Sequence, residues 1–556
     1  MPRFVFGSLQ LDSHARELRA NNISEVLSVL DFAERESKAG AYVAVMLSYE
    51  AAPAFDSVFA VHEPSDFPLA WAAAFDSAKD LAASEARLFS NSWAPHVSRA
   101  EYDDAVIRIK ELIAAGDTYQ VNYSFPLTAS FNGDAYTWYR TLCKAQGAQY
   151  SAYIDLGRYQ VLSLSPELFF ERQGDRVVTK PMKGTMRRGR WAAEDRELAQ
   201  RLLQSTKDRA ENVMIVDLLR NDLGKVSIPG TVHVSSLFEL ERFETVWQMT
   251  STVESTLNEG TSLADLMTAL FPCGSITGAP KIRTMQIIRE LERFPRGAYT
   301  GAIGLLKPGG DSVFNVAIRT VVIDTEARRA TFGVGGGVTI DSTAESEYEE
   351  CLVKRRFLNS PAIDFQLFES MLLEDGEYFL LAEHLERMRN SADYFGFRFS
   401  EEKIRQTLQN VSAPGAVKVR LTLWKDGRIE TQVSQLKPAT DQRVKLAVTP
   451  VDSSDRFLFH KTTRRDFSSD DVVYWNERGE VTESSIANIV LAVDGGLYTP
   501  PITSGLLAGT FRNHLLGQGM IKERVIMVDE LQKEFFLINS VRKWVRASFS
   551  HKGTKI

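Results

Sequence analysis

The alternation of strand-like and helix-like segments runs once to an acidic helix ending near residue 358. It is then broken by Asn359-Ser360-Pro361 and starts again. Proline has no N–H to donate and restricts the residue before it, so a helix cannot pass through this point. A chain of 556 residues is also too long for one hydrophobic core; at roughly 100–200 residues per domain, two to four domains are expected. The simplest division is one large α/β unit followed by a smaller α+β unit. On this reading residues 1–95 are the N-terminal part of the large unit, 96–358 its catalytic region, 359–363 a short joint and 364–556 the second unit.

Within the large unit, Gly40 to Glu50 reads as a strand. Tyr102, Ala105, Val106, Ile109, Leu112 and Ile113 recur at helical spacing behind Ser98, a plausible N-cap, and Gly116 closes that helix. Strands are expected over 140–185, with a Gly-Asp turn at 174–175, and a long amphipathic helix region over 193–222. Two helices are expected over 262–294 around a Pro/Gly loop at 271–280. Strands follow over 300–340, ending in Gly333-Val334-Gly335-Gly336-Gly337, and an acidic helix over 344–358. After residue 364 the order is strand–helix–strand, with a strand Tyr378–Ala382, a helix carrying Arg387, and much β from 415 to 495.

Composition excludes several classes. The chain is 44% hydrophobic and 25% charged, ordinary for a soluble globular protein. The net charge is −7 and no Lys/Arg-rich run stands out, so neither nucleic acid nor an anionic membrane is an expected partner. No stretch of about 18 apolar residues suggests a membrane span, and Met1 to Phe6 lacks the apolar region of a signal peptide. Cys143, Cys273 and Cys351 are too few and scattered for a disulfide framework or a zinc site. A cytoplasmic location is expected.

Two constellations carry chemistry. In the first, Asp208 and Glu211 are spaced i,i+3, as are Glu347 and Glu350, so each pair shares a helix face. Facing carboxylates can hold Mg²⁺; spacing alone favours a solvated charged face over a metal site. Around them stand Lys183, in a turn-like Thr179–Thr185 segment, the loop Phe271–Lys281 running into a helix whose N–H groups suit an anion, and Gly335-Gly336-Gly337, where backbone can approach a ligand. Arg319 ends a strand and could hold a carboxylate. In the second constellation, Lys461 follows a probable loop, Glu483 leads toward a strand, Gly509-Thr510 opens a helix, and Arg387 lies on the helix noted above. A lysine, an acid for a pyridinium nitrogen, an arginine and a helix N-terminus are the parts a pyridoxal phosphate (PLP) enzyme needs.

The segments AGDTYQVN, LSPELF, PMKGT, DRAENVMIVDLLRND, FPCGSITGAPK and AESEYEEC resemble, in order, those of the chorismate-utilising enzymes: anthranilate, aminodeoxychorismate, isochorismate and salicylate synthases. The resemblance implies a large α/β fold with two sheets around a cleft. It implies Mg²⁺ on Glu211 and Glu350 with Asp208 and Glu347 close by. It implies chorismate held by Gly184, Thr185, Ser275, Tyr299, Arg319, Gly335, Gly336, Gly337 and Lys354. Gln120 stands where the isochorismate and salicylate synthases resemble each other in using a lysine base, and an amide cannot take a proton at neutral pH. Lys183 stands where anthranilate synthases resemble P-x-A-G-T, and Gln248 where they carry a histidine. These positions imply the aminodeoxychorismate branch, with Lys183 as nucleophile and Glu167 as proton donor. No cysteine sits in a glutaminase-like elbow, so ammonia is expected from solution or from a separate glutamine amidotransferase subunit.

Residues 364–545 resemble the fold-type IV PLP enzymes, the class IV aminotransferases and aminodeoxychorismate lyase. The resemblance implies Lys461 as the cofactor lysine, Glu483 on the ring nitrogen, and Arg387, Gly509, Thr510 and Ser540 around the phosphate or cofactor face. It also implies a homodimer through this unit. Phe511 stands where many relatives have threonine, which puts the phosphate ligand at Thr510 or on backbone donors. Lysine chemistry alone does not separate a lyase from an aminotransferase. The two readings carried forward are 4-aminobenzoate synthesis by amination and then pyruvate elimination, and an anthranilate synthase-like unit joined to an amino-acid aminotransferase.

Overall fold

The structure is a computed structural model. It describes residues 4–11, 16–81, 91–359, 364–436, 440–465, 467, 472–531 and 534–549. The chain divides into two compact units. The first holds residues 1–187 and 201–363, the second 188–200 and 364–556. The sequence reading placed 96–358 whole in the first unit; residues 188–200 instead pack with the second.

The first unit contains two ten-stranded sheets. One runs in the order Gly278–Ala279, Gln120–Ser130, Arg329–Val338, Thr320–Asp324, Tyr159–Ser163, Ala152–Asp155, Phe4–Phe6, Leu9–Leu11, Lys79–Asp80, with Ala94–Pro95 beside Gln120–Ser130. The other runs Met182–Arg187, Val246–Thr256, Arg176–Lys180, Leu168–Gln173, Ser312–Val316, Ala302–Leu306, Tyr42–Leu47, Ala70–Phe75, Arg16–Ala20, with His233–Arg242 beside Val246–Thr256. Residues before 95 thus donate strands to both sheets.

The strand Ala70–Phe75 explains why this region reads as an unbroken apolar run. Side chains alternate across a sheet, and here both faces are covered. Ala70, Ala72 and Ala74 join the core beneath the helix Val26–Lys38. Trp71, Ala73 and Phe75 join Phe4, Met46, Ile154 and Ile303 in the layer between the sheets. A third core packs the helices Arg99–Ala114, Ala135–Gln146 and Lys281–Leu291 on the outer face of the first sheet. Helices therefore flank both sheets, a four-layer arrangement. Ser98 caps the helix Arg99–Ala114 as expected, accepting from Glu101 N while Glu101 reaches back, a reciprocal capping box.

Four local expectations are corrected. Residues 140–146, at the start of the stretch read as strands, end the helix Ala135–Gln146, which Asp134 caps at Thr137 N. Residues 193–222 form two helices, Ala192–Gln204 and Thr206–Gly224, because Ser205 is extended and its hydroxyl caps Asp208 N. The acidic helix ends at Lys354, followed by a 3₁₀ turn at Arg356–Asn359. Tyr378–Ala382 is not a strand: only Glu377–Tyr378 pair, and Leu380, in the left-handed region at φ 56°, opens the helix Leu381–Phe395.

The second unit has a four-stranded antiparallel sheet, Glu377–Tyr378, Leu367–Glu374, Val417–Leu423, Ile429–Gln435, covered by Leu381–Phe395 and Glu401–Gln409. Its eight-stranded sheet closes on itself. Val481–Ser484 pairs with Val472–Trp475 at one side and, through Glu483 and Asn488, with Asn488–Val493 at the other. Gln442–Leu446, Lys543–Phe549 and Glu534–Asn539 complete a ring of six strands, which pairs edges that an open sheet would expose, while Gly496–Thr499 and Lys522–Glu523 extend from Asn488–Val493 outside it.

Trp71 is fully buried and its Nε1 donates to Glu17 Oε2 at 3.2 Å. Truncation of such a side chain costs about 3–5 kcal/mol. Trp71→Ala is expected to destabilise the first unit by about that free energy, read as a lower urea midpoint at unchanged slope, and to leave the second unit's transition in place.

Candidate active sites

The first site forms where the two sheets present one strand each. Met182–Arg187, from the second sheet, carries Lys183, so the turn-like reading of this segment is corrected to a strand. Register irregularities against Val246–Thr256 lie between Met182 and Thr185. Gly184, at φ 94°, makes that bend, and a Cβ there would stand 3.0 Å from Asp208 Cβ. From the first sheet comes Arg329–Val338, whose Gly335, Gly336 and Gly337 pair with Ser124, Tyr123 and Asn122. The glycine run is therefore mid-strand, and its small size serves close approach. A Cβ on Gly337 would lie 2.7 Å from Lys183 Nζ and 2.8 Å from Gln120 Nε2.

The predicted residues meet here. Desolvation lowers the pKa of the Lys183 amine, while Glu211, Glu167 and Glu350 oppose that shift and Lys354 adds to it. Asn212 Nδ2 reaches the Lys183 carbonyl at 3.4 Å, and Ser251 Oγ donates to Asn212 Oδ1 at 2.5 Å. Glu167 is buried. Burial raises its carboxyl to about 7, against the Ser275 hydroxyl bond and the charge of Lys183. Ser275 Oγ donates to Glu167 Oε1 at 2.6 Å, so Ser275 serves Glu167 directly. Lys354 Nζ donates to Gly335 O at 2.7 Å and pairs with Glu350 at 2.9 Å. Tyr299 lies against Gly333, where a Cβ would meet its ring at 2.3 Å. Arg319, itself at φ 50°, is pushed down to about 10 by desolvation, and its Nη1 donates to Gln146 Oε1 at 3.3 Å. Thr185 Oγ1 donates to Gln248 Oε1 at 3.1 Å.

The four acids are neighbours but do not form a closed cage. Glu350 turns to Lys354, and Glu347 accepts from Ser342 Oγ at 2.7 Å. Among the described residues, no group of three or more His, Cys, Asp or Glu stands ready to hold a metal. The donor chemistry nevertheless suits one: Glu211 is raised chiefly by burial and also by the like charges of Asp208 and Glu347, a repulsion that a divalent cation relieves.

Gln120 is fully buried, and neither of its amide atoms has a hydrogen-bond partner among the described residues. An unpaired buried amide is costly. Its sequence position marked it only as a residue unable to act as a base.

The second site lies in the second unit. Lys461 follows the 3₁₀ turn Arg456–Phe459, and its carbonyl accepts from Phe368 N at 3.0 Å. Its amine stands 5.5 Å over the Phe368 ring. Desolvation is the main force lowering its pKa to about 7, with Arg387 acting the same way. Glu483, at the closing pair of the barrel, is buried. It accepts from Leu507 N at 2.8 Å and is bound by Arg465. Arg387 spends Nε and Nη2 on Glu369, at 2.8 and 2.5 Å, and Nη1 on Ala508 O at 3.2 Å. This leaves it beside the start of the helix Thr510–Gly517. Gly509 is required there, because a Cβ would stand 2.1 Å from Asn488 Oδ1.

Sequence reasoning missed three residues of this site. His384, buried on the Arg387 helix, binds Glu369 Oε2 at 2.7 Å and approaches Thr510 Oγ1 at 3.2 Å. Glu369 is thereby held far below the usual carboxylate range, Arg387 and His384 outweighing its burial. Arg465 is the third. The i,i+3 spacing of His384 and Arg387 was a usable signal, whereas nothing local pointed to Glu369. Ser540 donates to Ser370 O at 3.4 Å.

Residues 75–360, more than half of the chain, match the chorismate binding enzyme family, and the chain belongs to that family. Residues 366–548 match amino-transferase class IV, so one polypeptide carries both regions in succession. Over 265 residues the chain is 41% identical to aminodeoxychorismate synthase component 1 of Salmonella typhimurium, covering 48% of this chain and 58% of that protein. It is 39% identical over 283 residues to the Bacillus subtilis protein of the same name, covering 51% and 60%. The chain thus spans about three fifths of these relatives. Among solved structures, anthranilate synthase component I from Streptococcus pneumoniae aligns with a TM-score of 0.57 at 26% identity, covering 64% of this chain and 92% of that one.

Gly337→Ala puts a methyl group against the Lys183 amine and the Gln120 amide, both at the free ends of side chains that can swing away. Melting temperature is expected to stay close to that of the wild type. Turnover at this site, assayed with chorismate because the chain belongs to the chorismate binding enzyme family, is expected to fall by about 100-fold, the scale of a displacement of about 1 Å within a site.

Proposed function

We propose that the chain converts chorismate and ammonia to 4-amino-4-deoxychorismate in its first unit and eliminates pyruvate from that product in its second, giving 4-aminobenzoate. The observation that carries the first step is the Lys183 amine, lowered in pKa beside a Glu167 carboxyl raised to about 7. A neutral amine can act as a nucleophile, and a carboxyl that keeps its proton near neutrality can act as an acid. Relatives 38–43% identical over this region are named aminodeoxychorismate synthase component 1 or anthranilate synthase component 1, so the choice of branch rests on Lys183 and Gln248. Their designation as component 1 also supports a separate glutamine amidotransferase as the ammonia source.

In this reading Lys183 adds to C2 of the chorismate ring while the C4 hydroxyl departs as water with the Glu167 proton. Ammonia then adds to C4, the C2–N bond to Lys183 breaks, and a proton from the incoming ammonium restores Glu167. Arg319 and the Gly335–Gly337 backbone hold the substrate carboxylates, and Tyr299 packs beside them. Glu211 and Glu350, with Asp208 and Glu347 alongside, would hold Mg²⁺, Glu350 turning from Lys354 and Glu347 from Ser342. The cation would offset the charge of the substrate's carboxylates.

In the second unit Lys461 would hold PLP, Glu483 would face its ring nitrogen, and Arg387, Gly509 and Thr510 would receive its phosphate. When bound, the cofactor supplies an electron sink for the carbon bearing the substrate amine. Lys461 takes the C4 proton, the C3–O bond breaks to release the enolate of pyruvate, which takes up one proton at its methylene carbon to become pyruvate, and the ring becomes aromatic. A lowered lysine pKa supports this proton transfer. The alternative, an amino-acid aminotransferase, uses the same lysine.

The direct test supplies chorismate, Mg²⁺, ammonia and PLP and identifies products by mass. Wild type is expected to yield 4-aminobenzoate and pyruvate. Lys461→Ala is expected to stop at aminodeoxychorismate, and Lys183→Ala to leave chorismate unconsumed. Anthranilate as product, or unchanged turnover in Lys183→Ala, rejects the reading.

A second test uses pH. Glu167 carries its proton below about pH 7 and loses it above. The amination rate per free ammonia is expected to fall about tenfold per pH unit above that point. Glu167→Gln is expected to abolish this limb and lower the rate by about 10²–10⁴.

A further inference from the structure

Residues 188–200 belong to the second unit although they lie in sequence between Thr185 and Asp208. What holds them is specific. Arg188 is buried and meets Asp195 with two parallel bonds, Nε to Oδ1 and Nη2 to Oδ2, both 2.8 Å. A buried ion pair is tolerated only when the remaining donors are also satisfied. Here Arg188 Nη2 additionally donates to the Tyr394 carbonyl at 3.1 Å, and the guanidinium stands 4.3 Å over the Tyr394 ring. The Tyr394 hydroxyl returns a 2.6 Å bond to Gly189 O. Gly189 has no room for a side chain: a Cβ would lie 2.1 Å from Asp195 N.

These contacts lead to the cofactor lysine loop. The Tyr394 ring lies 4.5 Å from the ring of His460, the residue before Lys461, and Ser391 on the same helix bonds His460 Nδ1 at 2.9 Å. Trp191 packs at 5.1 Å on Phe459, the residue before that. Arg190 reaches Ser453 O at 3.4 Å, where the loop begins. Both residues preceding Lys461 are therefore held by 188–191, directly or through one tyrosine. On the other side the Lys461 carbonyl is fixed by Phe368 N. Burial keeps His460 neutral, its pKa pushed down to about 3, so this contact is a neutral ring stack at ordinary pH.

We infer that residues 188–195 are a strap that positions Lys461, with Arg188 and Trp191 as positioning residues acting through Tyr394, His460 and Phe459. The second site is then completed by a segment encoded within the chorismate-binding region. The role assigned to Lys461 rests on the PLP reading above; the role of the strap in ordering the loop does not.

Two measurements on the full-length chain separate these. Hydrogen–deuterium exchange over 456–463, without cofactor, is expected to rise about tenfold or more in Arg188→Ala and Trp191→Ala, the scale of losing one charged hydrogen-bond partner or a buried ring contact. Arg188→Lys, which keeps a cation for Asp195 but loses the paired bonds and the Tyr394 contact, is expected to restore part of the protection. With PLP added, the alanine variants are expected to weaken its binding about tenfold and to shift the pH midpoint of the visible absorbance band, while far-UV circular dichroism stays unchanged. Tyr394→Phe, which removes the hydroxyl's bonds to Gly189 O and to the Arg456 side chain, is expected to give a smaller change in the same direction. Unchanged exchange in both alanine variants overturns the strap whether or not PLP binds. Increased exchange with unchanged PLP affinity and band midpoint overturns its positioning of Lys461. Absence of a visible band in the wild type overturns the reading of Lys461 as the cofactor lysine, and the exchange result still decides the strap.

Discussion

The first unit depends on one close approach. Lys183 comes from one sheet and the Gly337 backbone from the other, and the space between them would not admit a Cβ. Each sheet is covered on both faces, by helices outside and by the other sheet inside. Neither strand can shift to make room without disturbing a close-packed layer. The amine therefore sits where burial disfavours its charge, near the carboxylates of Glu167, Glu211 and Glu350. Its chemistry is a consequence of packing as much as of residue type.

Electrostatic arrangements in the two sites follow different rules. In the first, burial raises the Glu167 and Glu211 carboxyls and lowers the Lys183 amine, so each is pushed toward its neutral form. In the second, the charges around Arg387 are locked. Glu369 is paired with both Arg387 and His384, and Glu483 with Arg465. Paired charges of this kind are rigid supports, and the labile group among them is Lys461. The closed barrel adds to that rigidity by pinning Glu483 at the pair with Asn488 that seals it.

Much of this was legible in the linear chain. Period-two and period-3.6 patterns located several elements, and capping logic placed the start of the helix at Arg99, whereas the helix Val26–Lys38 and the strands Gln120–Ser130 and Val246–Thr256 went unread. The failures have local causes. Ser205 caps a second helix inside what reads as one amphipathic run. The apolar Tyr378–Ala382 run is a turn and a helix start because Leu380 takes a left-handed backbone that no short-range pattern announces. Glu369 was invisible because its partners lie 15 and 18 residues away on another element.

The sequence by itself singled out the candidate site residues and their order: Lys183 within PMKGT, Glu167 within LSPELF, the two acidic pairs, and later Lys461 and Glu483. These are readable because residue type and spacing along one element are local properties. Only the tertiary structure decided which of them share a site, that Ser275 serves Glu167 and Gln248 serves Thr185, and that residues 188–200 belong to the second unit. Such pairings depend on where separate strands and helices are buried against each other, and burial is a property of the packed chain that no local pattern encodes.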